Sequence, residues 1–278
     1  MKGAIDLHTH SHYSDGSLSP SALIALARQQ QLSAIALTDH DSVDGLEEAA
    51  EAARAANIEF IDGIEFAASF GAKEVHILGL FIQRDSAALK DKLSSLRKTR
   101  HERNLEIISR LRKENIQLED EELHPSSGNA SVTRGHFARA LFKKGYAGTA
   151  KEAFEQYLSP GSKFYVKRDD FPARDAIQLI KSAGGTPVLA HPLLYKLSHD
   201  EVEVLVKALA NEGVMGLECL YSVNKPGDEE FLLGLAKKYR LRVTGGSDFH
   251  GINKPRIALG TGIENNLFVP YKILEDLK

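Results

Sequence analysis

Histidine and carboxylate side chains recur in short clusters along this chain. Residues 6–10 read Asp-Leu-His-Thr-His, residues 38–41 read Thr-Asp-His-Asp, and residues 247–250 read Ser-Asp-Phe-His. The chain holds eleven histidines but a single cysteine, Cys219. One cysteine excludes a disulfide framework and a thiolate-rich zinc or iron–sulfur site. Neutral imidazole and ionised carboxylate together suit zinc, manganese or iron.

Nine side chains in or near these clusters are candidate metal ligands. They are His8, His10, Asp15, His40, Glu65, His76, His191, Asp248 and His250. One ion takes about four to six ligands including water, so this set predicts two or three divalent ions with Glu65 as the bridging carboxylate. Ions roughly 3.5–4 Å apart serve phosphoester hydrolysis, because together they activate water and neutralise charge on the phosphoryl oxygens.

The elements that must position these ligands alternate between short apolar runs and helical patterns. We predict strands at residues 4–7, 34–37, 60–64, 75–81, 187–190, 216–220 and 243–246, with one more at 257–259. Helices are predicted at residues 22–31, 43–56, 173–183, 199–211 and 229–239, and at the C-terminus. Repeated strand–helix units favour an α/β fold of parallel strands covered by helices. About seven strands over this length fit a closed barrel better than an open sheet.

The candidate ligands fall in or just beyond the predicted strands. His8 and His10 are two residues apart, so both point to the same side of the first strand. In a parallel barrel the carboxyl ends of the strands meet at one mouth, where active sites are built. We therefore expect the candidate ligands to converge there. The alternative is that each histidine has its own local partner, which requires a coincidence at five strand ends.

Residues 86–160 break this alternation, because no strand pattern occurs there. A helical stripe is formed by Leu89, Leu93, Leu96, Leu105, Ile108 and Leu111. Further helices are predicted at residues 134–144 and 150–157. We predict that residues 1–85 and 161–278 form the barrel, and that residues 86–160 form a helical insertion acting as a lid or substrate-binding subdomain. The alternative is a set of extra barrel helices.

The overall composition is that of an ordinary globular protein. The 278 residues are 42% hydrophobic and 26% charged, and 35 basic against 38 acidic side chains give a formal charge of −3. This balance argues against disorder and against a general nucleic-acid binder, which carries a basic excess. No run approaches the roughly 18 apolar residues of a membrane span, and no signal-peptide core follows the N-terminus. We expect a cytoplasmic monomer without membrane or long duplex partners.

The metal-ligand motifs resemble those of a known family. Residues 6–10, residues 38–41, His76, His191-Pro192 and residues 247–250 are similar, in order and spread, to the four motifs of the PHP (polymerase and histidinol phosphatase) superfamily. The resemblance extends from residue 6 to residue 250 and implies a distorted (β/α)7 TIM-like barrel with a trinuclear metal centre.

The resemblance also implies a grouping of the ligands, with Mn²⁺ favoured and Zn²⁺, Fe²⁺ or Mg²⁺ as alternatives. One ion would be held by His8, His10, Glu65 and Asp248. A second would be held by Glu65, His76 and His191. A third would be held by Asp15, His40 and His250. Asp15 stands where some PHP members have histidine, a departure that affects the third site.

Residues 131–141 resemble a segment of stand-alone bacterial PHP phosphoesterases. Thr133 can cap a helix and place Arg134 in its first turn, where free backbone N–H groups and a guanidinium suit a phosphate. We predict that Arg134 binds phosphate and that His136 reaches the same site. The alternative is that Arg134 is a solvated helix residue.

Residues 161–168 form the densest short basic stretch interleaved with aromatic side chains. We predict that Lys163 or Lys167 contacts a second phosphate and that Tyr165 stacks on a base. The alternative is a solvated charged face. Two acidic residues, Asp6 and Asp39, are interpreted as carboxylates that orient metal-bound histidines. The remaining histidines are interpreted as structural or exposed: His12, His101, His124 and His199.

The resemblance implies a metal-dependent phosphatase that acts on nucleoside 3′,5′-bisphosphates such as 3′-phosphoadenosine 5′-phosphate. It would release phosphate from one phosphomonoester, with Arg134 stabilising charge and His191 or His250 available for proton transfer if not fully engaged by metal. Three alternatives stay open. They are a 5′-to-3′ phosphodiesterase on short RNA, a histidinol-phosphate phosphatase, and a non-catalytic metal-binding module.

Overall fold

A computed structural model describes residues 3–123, 131–167 and 170–278. The strands are β1 (Ile5–Asp6), β2 (Ala34–Leu37), β3 (Glu59–Phe70), β4 (Lys73–Leu80), β5 (Thr186–Leu189), β6 (Gly216–Tyr221) and β7 (Arg242–Gly246). The helices are α1 (Pro20–Gln29), α2 (Leu46–Ala56), α3 (Ala87–Lys113), α4 (Arg134–Lys143), α5 (Ala150–Ala153), α6 (Ala173–Ser182), α7 (His199–Glu212), α8 (Asp228–Tyr239) and α9 (Tyr271–Leu277). The sequence positions His124 and Arg168 lie outside the described residues.

The strands of the described chain form a seven-stranded sheet in sequence order, β1 to β7. The sheet nearly closes on itself, because Leu7 N–H donates to the Gly245 carbonyl (3.2 Å) and Asp248 N–H donates to the His8 carbonyl (2.8 Å). The predicted α/β fold with a (β/α)7 TIM-like barrel is therefore confirmed.

One strand departs from the predicted parallel arrangement. β4 runs antiparallel to both β3 and β5. Only two residues separate β3 from β4, and a parallel connection needs a crossover of about a dozen or more. Gly71 in this link has a φ of +59°, the left-handed conformation that a tight turn requires. The hairpin reverses β4, so the end of β4 near His76 reaches the mouth of the barrel.

A second departure concerns residues 257–259, which form no strand. Ala258 pairs only with Gly262 in an isolated bridge. Gly260 and Gly262 have φ values of +73° and +71°, which turn the chain before a strand can extend. The predicted C-terminal helix is present as α9.

Alternate residues of β2 pack on opposite faces of the barrel wall. Ile35 and Leu37 belong to the large apolar cluster formed with the surrounding helices. Ala34 and Ala36 belong to a second cluster, which includes α9. Because side chains alternate along a strand, His40 continues the Ala34–Ala36 face toward the mouth. The apolar wall thus ends beside the candidate metal ligand His40.

In its described residues, the region 86–160 contains helices and connecting turns but no strand; the helical segments include α3, α4, α5 and a π-helical turn at Phe154–Leu158. Leu89, Leu93 and Leu96 pack against the barrel cluster. The second half of α3 packs instead with α4 around Phe137 in a cluster of its own. The predicted stripe is wrong at Leu105, which is 45% exposed, because Ile107 occupies the buried position. The domain boundaries themselves stay a prediction.

In the described residues, we find no helix with the length and apolar character needed to cross a membrane.

Candidate metal centre and phosphate cleft

All nine candidate ligands converge at the mouth of the barrel. Their side chains form four overlapping groups whose potential ligand atoms lie within 4.8 Å of one another. The groups are His8–His10–Asp248, His8–Glu65–His191, His40–Glu65–His76 and His10–Asp15–His40–His250. The overlap means that neighbouring ions placed in these groups would share ligands.

Glu65 lies at the centre of the overlap, and its two oxygens face different histidines. Oε1 lies 2.8 Å from His76 Nδ1 and 3.0 Å from His191 Nε2. Oε2 lies 3.4 Å from His8 Nε2 and 3.3 Å from His10 Nε2. A carboxylate that divides its oxygens in this way has the geometry of a bridge between two ions.

These contacts bring together the members of two of the groups that the resemblance implies, whereas His76 and His191 fall in separate groups that share Glu65, so the assignment of ligands to ions stays a prediction. His8, His10 and Asp248 lie together, and so do Asp15, His40 and His250. In addition, Glu65 Oε2 lies 3.1 Å from His40 Nδ1, which links the group containing Asp15 to the bridging carboxylate.

The buried nitrogen and oxygen atoms of the cluster are suited to binding metal ions. His8 Nε2, His10 Nε2, His40 Nδ1 and Asp15 Oδ1 are buried and make no hydrogen bond within the described part of the chain. Buried polar atoms are normally hydrogen-bonded, so a concentration of such atoms at one point requires an explanation. Divalent ions would satisfy all of them at once, since neutral imidazole and carboxylate are their usual protein ligands.

The pKa values of the cluster residues are shifted in different directions. Burial lowers the pKa of His40 to about 3, so this ring is neutral at physiological pH. Burial also acts to lower the pKa of His10 and His76, but the neighbouring carboxylates raise these pKa values to about 9 and about 10. Burial acts to raise the pKa of Glu65, yet the surrounding histidines hold it well below its ordinary value. The carboxylate is therefore ionised and ready to bind cations.

Backbone strain is concentrated at the same place. Asp41, His191 and Asp248 have φ values of +49°, +27° and +57°. Such conformations are unfavourable for residues other than glycine and persist where the surrounding structure enforces them, often at functional sites. Here they turn the chain at the ends of strands so that His191 and Asp248 point into the cluster.

The sequence analysis missed Glu218, a carboxylate outside the candidate ligand set that contacts a candidate ligand imidazole. Glu218 Oε1 lies 2.9 Å from His8 Nδ1, and its Oε2 accepts a hydrogen bond from His191 N–H (2.8 Å). The available signal was a single acidic residue in the apolar strand β6, where an unpaired charge would be strongly unfavourable.

The roles predicted for Asp6 and Asp39 need correction. Asp6 accepts hydrogen bonds from Ser247 N–H (2.8 Å) and Gly260 N–H (2.9 Å), so it fixes backbone segments and no ring. Asp39 accepts from the Ser14 hydroxyl (2.5 Å), whose oxygen lies 3.3 Å from His10 Nδ1. Asp39 therefore acts on His10 through Ser14. The short side chain of aspartate at these positions reaches the backbone before it reaches an imidazole.

Two further residues contact Oδ2 of Asp248, the carboxylate oxygen that faces away from His10. Tyr221 donates its hydroxyl hydrogen to Oδ2 (2.7 Å), and Lys254 Nζ lies 2.6 Å from the same atom. A register shift between Glu218 and Leu220 allows both Glu218 and Tyr221 to face the site from one strand. Oδ1 of Asp248 is left for the cluster, 3.3 Å from His10 Nε2.

A cleft of about 230 Å³ opens directly on the cluster and is walled by the insertion. Its lining includes Asp15, His40 and His76 from the barrel mouth and Arg100, Arg103 and Arg134 from helices α3 and α4. Arg134 is the first residue of α4, which Thr133 caps as predicted by accepting from Gly135 N–H (3.1 Å). The Thr133 hydroxyl also lies 3.2 Å from Asp15 Oδ2, so the cap connects α4 to the cluster.

The three arginines differ in their present partners. Arg134 lies 2.7 Å from Glu74 Oε1, an acidic side chain that also lines the cleft. Arg100 pairs with Asp41, and Arg103 donates to the Val166 carbonyl (3.1 Å). Arg100 and Arg103 were not predicted as site residues. Both are interior positions of the long helix α3, whose pattern gave no sign that its polar face meets the barrel mouth.

The other predicted substrate contacts lie at varying distances from this cleft. His136 is buried, and its Nδ1 accepts from Thr133 N–H (3.0 Å), so it completes the cap and does not line the cleft. Lys163 is exposed and pairs with Glu114 (2.6 Å), away from the cluster. Tyr165 and Lys167 line a neighbouring depression on the β3–β4 hairpin. Of the predicted substrate-binding residues, Arg134 is the one that lines the cleft beside the ligand cluster.

Comparison with known proteins gives the family. A model of the PHP domain matches residues 6–167. The chain is 35% identical over 247 residues to the 3′,5′-nucleoside bisphosphate phosphatase of Chromobacterium violaceum, which covers 88% of this chain and 87% of that protein. It is 34% identical over 250 residues to a 5′-3′ exoribonuclease of Haemophilus influenzae, covering 90% of this chain and 91% of that protein.

Solved structures agree with this result. A protein assigned as a metal-dependent phosphoesterase from Bifidobacterium adolescentis has a TM-score of 0.86 at 29% identity, covering 98% of this chain and 94% of that chain. An amidohydrolase from Chromobacterium violaceum, with bound sulfate and no metal, has a TM-score of 0.87 at 32% identity, covering 98% and 96%. Motifs, barrel and relatives coincide, and the chain therefore belongs to the PHP family of metal-dependent phosphoesterases.

Proposed function

We propose that this protein is a metal-dependent phosphatase of nucleoside 3′,5′-bisphosphates, with 3′-phosphoadenosine 5′-phosphate as a representative substrate. The observation that carries the proposal is the shared wall between the ligand cluster and the arginine cleft. His40 and His76 belong to the cluster and also line the cleft together with Arg134. A molecule with two phosphates can therefore place one over the cluster and the other among the arginines.

The cluster would hold two or three divalent ions, with Mn²⁺ as our first choice, through the nine ligands named above. When bound, such ions polarise the phosphoryl oxygens and activate water for attack at phosphorus. Glu65 would be the ligand shared between ion positions, and Glu218 holds His8 so that its Nε2 faces the centre. Guanidinium groups form paired, charge-assisted hydrogen bonds to phosphate, which suits Arg134 for binding and orienting the substrate.

His191 and His250 are the candidates for moving a proton. His250 Nδ1 donates to the Asp248 carbonyl (2.8 Å), and its Nε2 faces the ligand cluster beside Asp15 Oδ1 (3.1 Å), so neither nitrogen is left over for a mobile proton. His191 Nε2 faces Glu65, while its Nδ1 makes no hydrogen bond among the described residues. We therefore favour His191, which can hold a proton at Nδ1 while its other nitrogen serves the cluster.

The proposal is tested with purified protein, Mn²⁺ and 3′-phosphoadenosine 5′-phosphate, following phosphate release. We expect metal-dependent turnover that collapses in His40→Ala, whose ring is shared by cluster and cleft. An exposed histidine on α3 provides the matched control, so His101→Ala keeps wild-type activity. Absence of turnover on this substrate together with efficient turnover of histidinol phosphate would refute the proposal.

The second candidate substrate is short RNA, because the relative from Haemophilus influenzae is a 5′-3′ exoribonuclease, whereas the relative from Chromobacterium violaceum is a bisphosphate phosphatase. Metal content separates any enzyme from the non-catalytic alternative, since a metal-binding module with a degenerate site would hold well below one ion per chain. A cytoplasmic location and a monomeric state belong to the proposal as predictions from the sequence.

A further inference from the structure

The pairing of β4 with β5 changes at the point where it reaches the candidate ligands. The antiparallel register pairs Ile77 with Leu189, so the next two residues toward the mouth, His76 and Ala190, lie opposite each other. Ala190 N–H donates to the His76 carbonyl (3.1 Å). A hydrogen-bonded pair in an antiparallel ladder normally exchanges both of its N–H···O bonds. A regular ladder would therefore also join His76 N–H directly to the Ala190 carbonyl.

In the described chain, this second bond runs through the side chain of Tyr195. His76 N–H donates to the tyrosine oxygen (2.8 Å), and the hydroxyl donates to the Ala190 carbonyl (2.8 Å). A hydroxyl can serve both partners because it has one donor hydrogen and two acceptor lone pairs. Two hydrogen bonds in series replace one, so the two backbone groups stand farther apart than in a regular ladder. The strands are thus held apart at the level of His76 and His191.

The chain after β5 folds back to bring Tyr195 to this position. His191 has a φ of +27°, and the next residues form a 3₁₀-helix at Pro192–Tyr195. Leu194 N–H closes this turn by donating to the His191 carbonyl (3.0 Å). The Tyr195 ring then lies edge-to-face with the His191 ring, and their centroids are 5.7 Å apart. One side chain thus contacts the backbone of one candidate ligand and the ring of another.

The two candidate ligands joined in this way meet at one carboxylate oxygen. His76 Nδ1 lies 2.8 Å and His191 Nε2 lies 3.0 Å from Glu65 Oε1. Metal–ligand distances vary by only about 0.2 Å around their usual values. A change in the spacing of β4 and β5 by even part of a hydrogen-bond length exceeds that tolerance. A rigid aromatic side chain that is hydrogen-bonded to both strands is suited to fixing this spacing.

We infer that Tyr195 is a positioning residue for the metal centre: its hydroxyl, inserted between His76 N–H and the Ala190 carbonyl, sets the spacing of the His76 and His191 rings around Glu65. This role rests on the proposed binding of ions to the cluster and is independent of the proposed substrate. In Tyr195→Phe the ring remains but the hydroxyl is lost. The two backbone groups then either pair directly, which draws β4 toward β5, or lose their partners, which loosens the pairing.

Titration of the metal-free protein with Co²⁺ tests the inference, because the visible absorption of the bound ion reports the geometry of its ligands. We expect Tyr195→Phe to weaken, by about tenfold, the binding step that is lost in His191→Ala, and to alter the absorption spectrum of that step. Tyr157→Phe is the matched control, since that hydroxyl also donates to a backbone carbonyl, that of Tyr146 (3.0 Å), but within the insertion. Its titration should equal that of the wild type. Urea unfolding in EDTA shows that each variant folds.

Each other outcome overturns the inference. If Tyr195→Phe binds Co²⁺ with wild-type affinity and spectrum, the hydroxyl does not position the ligands, even where the metal-free variant is less stable in urea. If Tyr195→Phe and Tyr157→Phe weaken Co²⁺ binding equally, the effect does not depend on contact with the ligands. If the wild-type protein binds no Co²⁺, the proposed metal centre fails and the inference fails with it. None of these measurements uses turnover, so failure of the proposed substrate would leave them unaffected.

Discussion

Glu218 Oε1 lies 2.9 Å from Nδ1 of His8, and both side chains are buried beneath the metal centre. A His8 ring that donates its Nδ1 hydrogen to Glu218 presents the Nε2 lone pair to the cluster. The second oxygen of Glu218 accepts from His191 N–H, so one carboxylate of β6 fixes ligands on two other segments. Burial alone would lower the pKa of His8, but Glu218, Glu65 and Asp248 raise it well above its ordinary value.

We predict that Glu218→Gln weakens metal binding without unfolding the barrel. Glutamine keeps the shape of the side chain but loses the negative charge that raises the basicity of His8. Removing such a carboxylate partner from a metal-bound histidine commonly lowers metal affinity by about tenfold to 100-fold. Calorimetric titration with Mn²⁺ measures the change. Glu229→Gln on the exposed face of α8 is the control, and equal affinities for the two variants would show that the contact has no influence on the site.

The convergence of the candidate ligands was predictable from sequence because most of them lie beside a strand end and because metal binding restricts the residue type. His8, His40 and His191 each follow the end of a strand, and each is a residue type that binds metal ions. Arg100 was not predictable, since its role depends on how α3 crosses the mouth, and that crossing is decided by packing between Leu96 and the barrel. The reversal of β4 was equally hidden, because the strands predicted at residues 60–64 and 75–81 are shorter than β3 and β4 and leave a gap of ten residues where the structure has a two-residue turn.

The arginine cleft leads to a comparison of Arg134 and Lys163, two basic residues that the sequence assigned to different phosphates. Arg134→Ala should lower kcat/KM for a nucleoside bisphosphate by at least about tenfold, because hydrogen bonds to charged groups contribute roughly 1.5–3 kcal/mol. Lys163→Ala should leave it unchanged, since that ammonium pairs with Glu114 outside the cleft. Steady-state kinetics on both variants decides the matter. A larger loss of kcat/KM in Lys163→Ala than in Arg134→Ala would indicate that the second phosphate binds at residues 161–168 and not in the arginine cleft.

Asp15 should control how many ions the cluster holds. Its Oδ1 lies 3.1 Å from His250 Nε2, whereas its Oδ2 is near the Thr133 hydroxyl. Asp15→Asn removes the negative charge from the group His10–Asp15–His40–His250, so elemental analysis should find one ion fewer per chain. Thr133→Val should keep the ion count and instead lower the free energy of unfolding by about 1 kcal/mol through loss of the cap. An unchanged ion count in Asp15→Asn would contradict a third site at this position.

The stability of the metal-free protein should depend on pH in a defined direction. Against the effect of burial, carboxylates raise the pKa of His10 to about 9 and that of His76 to about 10. The folded, metal-free chain therefore keeps protons that the unfolded chain releases near pH 6.5. The stability that these protons confer is complete below pH 6.5 and is lost as the pH rises through 9 to 10.

Urea unfolding in EDTA at pH 6.5 and 9.5 checks this direction. Protein loaded with ions beforehand and freed of excess metal should lose less stability over that interval, because ions replace the protons on these rings. His76→Ala should reduce the loss in EDTA, and His101→Ala, an exposed histidine, should not. A metal-free protein that becomes more stable between the two pH values would refute the assignment.

The apolar cluster around Phe137 predicts that the insertion unfolds separately from the barrel. Phe137 is fully buried on α4, whereas Phe142 of the same helix is 45% exposed. Truncating a buried phenylalanine lowers the free energy of unfolding by about 3–5 kcal/mol. In Phe137→Ala, hydrogen exchange should therefore accelerate in α4 and the second half of α3 but not in β2 or β5, while Phe142→Ala behaves as wild type. Equal acceleration in the barrel strands would mean that residues 86–160 and the barrel form one cooperative unit.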